Sequence, residues 1–158
     1  LKRTLVSAVL SLALLVGCIP EGVVRGAALV PAEGPMFEAH AGEIRVVFSS
    51  ATTGRGNLSF TLPDKEKVSG EYSTLSGFST DAAEGAGKPG GGRVVVTPAD
   101  WKALYGKSDM ITGQINGQAL CRGDKGTIMQ VQYVVDPFDN KGFGVAKDNR
   151  GNLFRLRF

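Results

Sequence analysis

The stretch "MITGQINGQALCRGDKGTIMQVQYVV", Met110 to Val135, decides the fold. Before its turn the odd positions are Ile111, Gly113, Ile115, Gly117, Ala119 and Cys121, while Thr112, Gln114, Asn116 and Gln118 occupy the even ones. After Arg122-Gly123-Asp124-Lys125-Gly126 the odd positions are Met129, Val131, Tyr133 and Val135, and Gln130 and Gln132 point the other way. A period of two with one apolar side is the mark of half-buried antiparallel strands. Pairing Cys121 with Thr127 sets Ala119 opposite Met129, Gly117 opposite Val131 and Ile115 opposite Tyr133. Small side chains then face large ones, and a slip of one residue would turn one apolar face to water.

The same period extends outward. Ile44, Val46 and Phe48 share a face, as do Leu58, Phe60 and Leu62, and after the turn Pro63-Asp64-Lys65-Glu66 come Val68, Gly70 and Tyr72. Arg93 to Val96 is a further short strand. Phe143 and Val145 lead into the turn Asp148-Asn149-Arg150-Gly151 and on to Phe154, Leu156 and Phe158. Pairing Val145 with Phe154 points Arg155 and Arg157 outward beside Gly144 and Gly142. One helix is expected over 98–105, where Thr97 caps, Pro98 takes the first helical position, Asp100 follows and Gly106 stops it. Its stripe of Trp101, Leu104 and Tyr105 is expected to close one end of the β core. The expected fold is all-β: a small antiparallel β-barrel or sandwich of seven or eight strands with one short helix near 98–105.

The N-terminal segment carries a different message. Lys2 and Arg3 precede an apolar run, Leu5 to Leu14, which is too short for a bilayer span of about 20 residues. A basic start, a short apolar run and a small residue at the cut describe a secretory signal. Leu15-Val16-Gly17-Cys18 resembles the lipobox of bacterial lipoproteins. That resemblance implies cleavage between Gly17 and Cys18, acylation of the Cys18 thiol and anchoring at the membrane through the acyl groups. Ile19 and Pro20, rather than Asp, follow the cysteine, which resembles lipoproteins sorted to the outer membrane when the host is Gram-negative. The tail "GFGVAKDNRGNLFRLRF" and the "GDKGT" turn are also similar to small β-domain lipoproteins of bacteria, a likeness in turns and core that implies no activity. Three segments follow: 1–17 as signal peptide, 18–41 as lipidated cysteine and flexible tether, and 42–158 as a single all-β domain. Val23-Val24 and Ala28-Leu29-Val30 are the places within the tether where a strand is conceivable.

Loss of Lys2 and Arg3 with the signal leaves 16 Lys and Arg against 15 Asp and Glu. A near-neutral protein outside the cytoplasm is no candidate for nucleic acid. With Cys18 acylated, Cys121 has no cysteine in the chain to pair with and is expected to be a buried structural thiol.

Several motifs resolve into backbone needs. Arg122-Gly123-Asp124 spells an adhesion tripeptide, but a hairpin tip selects Gly and Asp for its own geometry. Gly85, Gly87 and Gly90 match a dinucleotide fingerprint, yet they precede a strand and enclose Pro89, so no nucleotide is expected. His40 is the only histidine, which argues against a zinc site and a Ser-His-Asp triad. The pairs Asp136 with Asp139 and Asp124 with Asp148 sit in turns, where Asp bonds to its own backbone. No cofactor or metal is expected. The candidate binding face is basic: Arg155 and Arg157, with Lys147 and Arg150 at the adjoining turn. Such a strip suits an anionic envelope component or an acidic envelope protein. The expected function is thus a lipid-anchored cell-envelope lipoprotein with a non-catalytic binding or structural β domain. The alternative is a periplasmic inhibitor of a lytic enzyme, with the loop 80–92 as its inserting element.

Overall fold

The computed structural model describes residues 24–52, 54–75, 94–106, 115–136 and 141–158. Eight antiparallel strands follow one another in chain order: β1 (Val24–Glu33), β2 (Ile44–Thr52), β3 (Arg55–Thr61), β4 (Lys67–Leu75), β5 (Ile115–Gly123), β6 (Ile128–Val135), β7 (Gly142–Asp148) and β8 (Leu153–Arg157). β8 pairs with β1, so the sheet closes on itself, and barrel rather than sandwich is the outcome. A short helix α1 (Pro35–Ala39) follows β1, and α2 (Pro98–Tyr105) forms where Thr97 and Asp100 make the capping box and Gly106 ends it in the left-handed conformation. The inward residues, among them Leu29, Val46, Leu58, Val68, Cys121, Met129, Val131 and Phe154, form one buried core. Outward positions of β2 to β4 carry Arg45, Asn57, Ser59, Thr61, Lys67, Ser69 and Glu71, all exposed. That alternation is the reverse of a membrane-spanning barrel, whose outer band is apolar.

The strand count holds, but one strand comes from an unexpected place. Val24–Glu33 belongs to the barrel, hydrogen-bonded to β2 on one side and β8 on the other, so the expected tether 18–41 is barrel wall from residue 24 onward. Small residues obscure its alternation, since Ala27 faces in while Gly26 and Ala28 face out. Pro31 sits where the register with β8 shifts, a position that tolerates a missing N–H. Of the strand expected over Arg93 to Val96, residues 94–96 form none. They run with α2 across the outer wall, where Val96, Trp101 and Leu104 bury against Val134, Val145 and Leu153. The helix therefore covers a side of the barrel, not its end.

Both C-terminal hairpins close differently from expectation, and for one reason. In each, the N–H of the first closing residue donates to the carbonyl four residues on: Gly123 to Thr127 at 2.8 Å and Asp148 to Asn152 at 3.1 Å. Three loop residues lie between, the last being Gly126 (φ 94°) or Gly151 (φ 84°), a conformation that costs glycine little. In the β5–β6 hairpin this pairs Cys121 with Met129, Ala119 with Val131, Gly117 with Tyr133 and Ile115 with Val135. The pairing is offset by two residues from expectation, so the same side chains still face inward. In the β7–β8 hairpin Val145 pairs with Arg155, and Ala146 with Phe154. That offset is one residue, so Phe143 and Val145 turn outward beneath α2 while Gly144 and Ala146 face in. Arg155 and Arg157 remain outward, but beside Val145 and Phe143.

At the barrel end where β1 begins, Phe48, Tyr72, Tyr133 and Phe158 fill the interior, with ring centroids 5.0–6.4 Å apart. Glycine makes the room. A Cβ on Gly117 would stand 2.1 Å from Cζ of Tyr133, so nothing larger fits without moving the ring. Gly117→Val should cost about 1–3 kcal/mol by overpacking, seen as a lower urea midpoint at unchanged slope. An unaltered midpoint would show that Tyr133 is free to swing away.

Candidate functional site

Buried polar groups gather at the opposite end of the barrel, and their partners decide whether they do chemistry. Three tips meet there: Pro63–Lys65, Asp124–Gly126 and Asn149–Gly151. The first repeats the geometry of the others, with Leu62 N–H donating to Glu66 O at 2.8 Å and Lys65 left-handed at φ 67°. Glu66 is fully buried among them. Its Oε1 accepts from the N–H groups of Lys125 (3.0 Å) and Thr127 (2.9 Å), and its Oε2 accepts from the Thr127 hydroxyl (2.7 Å) and Arg150 Nη2 (2.7 Å). Burial pushes the Glu66 pKa up. The bonds from Thr127, Lys125 and Arg150 outweigh it, leaving the carboxyl below its ordinary value. Asp64 is lowered as well, first by the Glu66 N–H on its Oδ1 and further by Arg150 and Lys125. Every oxygen of Glu66 is occupied by the protein, so this carboxylate ties the tips together and is not poised to take a proton from a substrate.

Of the Asp residues expected to bond within their own turns, Asp148 does so, while Asp124 reaches across to another strand. Asp124 Oδ1 accepts from the Lys67 N–H at 3.0 Å. Asp148 is buried and accepts from the N–H groups of Arg150 and Asn152 and from the Asn152 amide. Asp136 bonds through its backbone to Lys141; Asp139 lies outside the described residues. His40 caps the end of α1, its backbone N–H donating to Met36 O. Among the described residues no group of three or more His, Cys, Asp or Glu is arranged to hold a metal ion.

The four basic candidates separate. Arg150 belongs to the tip cluster, 2.7 Å from Glu66 and 3.2 Å from Asp64. Lys147 pairs with Asp100 at 3.0 Å and so fastens α2 to β7. Gln130 and Gln132, expected to face water, lie under the same helix: Gln130 Oε1 accepts from the Val96 N–H at 2.5 Å and Gln132 Oε1 from the Trp101 indole at 2.9 Å. The Tyr105 hydroxyl donates to Gly144 O at 2.9 Å, and burial raises its pKa.

Arg155 and Arg157 stay together and gain a companion. Ala28 on β1 pairs with Arg157 of β8 on one side and with Arg45 of β2 on the other, and Val30 pairs with Arg155. Strand spacing puts the Arg45 and Arg157 backbones about 10 Å apart across a floor of Gly26 and Ala28. An open groove runs there, lined also by Glu43 and Phe158. Among the described residues no carboxylate lies within ion-pair distance of these three arginines. Sequence reasoning missed Arg45 because its link to Arg157 runs through β1, the strand hidden in the expected tether. Cys18, Gly17 and the loop 80–92 lie outside the described residues.

The chain matches no protein-family model, and no curated protein or solved structure is similar to it.

Glu66→Gln should destabilise the barrel by about 2–3 kcal/mol at neutral pH, the worth of hydrogen bonds to a charge. Because its folded pKa is lowered, Glu66 stabilises fully above its ordinary value of 4.5 and loses that contribution as pH falls through the folded value. The stability gap between parent and variant should therefore hold at neutral pH and shrink below about pH 4 in urea titrations; a constant gap would mean Glu66 is not ionised when folded. Cys121 is completely buried, and burial pushes its thiol up to about 12. It should resist iodoacetamide in the native protein and react fully in denaturant, as mass spectrometry will read.

Proposed function

We propose that the chain is a lipid-anchored lipoprotein of the cell envelope whose barrel is a non-catalytic module that docks on an anionic component of that envelope. The lipobox-like Leu15-Val16-Gly17-Cys18 supports the anchor, after a basic start and a short apolar run. Two or three acyl chains on one cysteine give durable attachment where one would not. The observation that carries the docking role is the arginine wall: Arg45, Arg155 and Arg157 stand on one outer face with no carboxylate partner among the described residues. Side chains fill the interior of the barrel, and the buried carboxylate at its end is satisfied by four donors, so the wall is the feature that offers unspent binding capacity.

Two substitutions test the two halves separately. Cys18→Ala should abolish incorporation of labelled palmitate and leave an uncleaved or mislocalised precursor; normal label would sink the anchor. Arg45→Glu/Arg157→Glu alters two exposed side chains and should shift stability by no more than about 0.5 kcal/mol. It should nonetheless abolish retention on isolated envelope fragments, and retention of the parent should fall with added salt. Equal retention of parent and variant would reduce the wall to solvated surface.

A further inference from the structure

The span between the acylated residue and the barrel is short. β1 begins at Val24, so six Cα steps separate it from Cys18. Fully extended, that reaches about 21 Å, and as a flexible chain it averages about 13 Å. Whatever the anchor holds, it holds within that distance of the end of the barrel where β1 starts.

The wall that starts there is electrically polarised. Arg25 is exposed at the mouth of that end, on the inward side of β1 with Ala27 and Leu29, while Arg45 and Arg157 flank Ala28 on the outer wall, about 13 Å along the strand from Val24. Glu43 lines the same groove as Arg45 and Arg157, and beyond it the far end of the wall is acidic: exposed Glu33 ends β1 and Glu38 lies on α1. Basic groups thus lie toward the anchor and acidic groups away from it. Near a negative surface this distribution has one favoured orientation, with the arginines toward the surface.

Resting on the anchored-lipoprotein reading, we propose that the anionic component met by the arginine wall is the headgroup layer of the bilayer in which the chain is anchored. Arg45 and Arg157 dock on phospholipid phosphates beside the acyl chains, and the barrel lies against the membrane instead of standing off it. The six-step span converts weak attraction into steady contact, because the acyl chains would keep the near end of the wall within about one to two Debye lengths of the headgroups at physiological salt, from where the wall can tip onto them. Small residues make the contact possible: Gly26 and Ala28 leave the guanidinium groups on either side as the projecting part of the surface.

The full chain, processed in a bacterial host and purified in detergent, is reconstituted into phosphatidylcholine vesicles with or without phosphatidylglycerol. Intact mass first establishes whether Cys18 is acylated. Phenylglyoxal then modifies arginines, and peptide mass spectrometry follows Arg45 and Arg157, with Arg122, exposed at the other end of the barrel, as the internal control. In phosphatidylglycerol vesicles Arg45 and Arg157 should react about fivefold more slowly or less, the equivalent of roughly one basic residue's attraction to an anionic surface. Arg122 should react alike in both, and high salt should erase the difference. An unacylated Cys18 overturns the anchor and this proposal with it. An acylated Cys18 with equal labelling in both vesicles, or with protection that salt does not touch, overturns the docking while leaving the anchor in place.

Discussion

A charged carboxylate can be buried only where the protein supplies every hydrogen bond that water would have given. Glu66 imposes that demand on three separate hairpin tips at once. Lys125, Thr127 and Arg150 come from two turns distant in sequence, and Glu66 closes a third. Gly123 must lack a side chain, since a Cβ there would stand 1.9 Å from Oε1. The donors meet the carboxylate only if each tip has three loop residues with the last left-handed, as Lys65, Gly126 and Gly151 are. Loop length sets hairpin register, and register sets which side chains enter the core. One buried ion thereby constrains pairing around much of the barrel.

The consequence is clearest in β7. Closing its hairpin at Asp148 and Asn152 turns Phe143 and Val145 outward, and an outward apolar pair requires cover. The stretch from Val96 through α2 supplies it, pinned by Lys147 to Asp100 and by glutamines that satisfy the Val96 N–H and the Trp101 indole. The molecule has two apolar layers, one inside the barrel and one between barrel and helix. Cover on β6 and β7 stops short of the outer groove over β1, whose lining residues apart from Phe158 are small or charged.

The sequence was legible where side chains differ strongly between faces. Leu58, Phe60 and Leu62, or Met129, Val131 and Tyr133, announce their side because the residues between them are polar. The helix announced itself through Thr97, Pro98, Asp100 and Gly106, since capping is local chemistry. β1 did not: Gly26, Ala27 and Ala28 look alike on both faces, and its place depends on β2 and β8 arriving from far along the chain. Exact register was hidden for a related reason, because it follows from the tip that closes around Glu66. Of the candidate basic face, Arg155 and Arg157 were visible from alternation. The ion pairs that remove Lys147 and Arg150 join residues 47 and 84 positions apart, and periodicity carries no trace of them.

That hidden strand also changes what an anchor would mean. A flexible segment from 18 to 41 would average about 27 Å and let the domain turn freely above the headgroups. With β1 absorbed into the wall, the free span falls to six steps and the mean reach to about half. Over that shorter distance the field of an anionic surface is still felt, whereas at 27 Å it is largely screened at physiological salt. A wall with Arg45 and Arg157 toward its near end and Glu33 and Glu38 at its far end would experience a torque only where the field persists. Incorporating the N-terminal segment as the eighth strand therefore does two things together. It removes the free edges that β2 and β8 would otherwise expose, and for a chain anchored at Cys18 it would bring a polarised surface close enough to the membrane for its charges to matter.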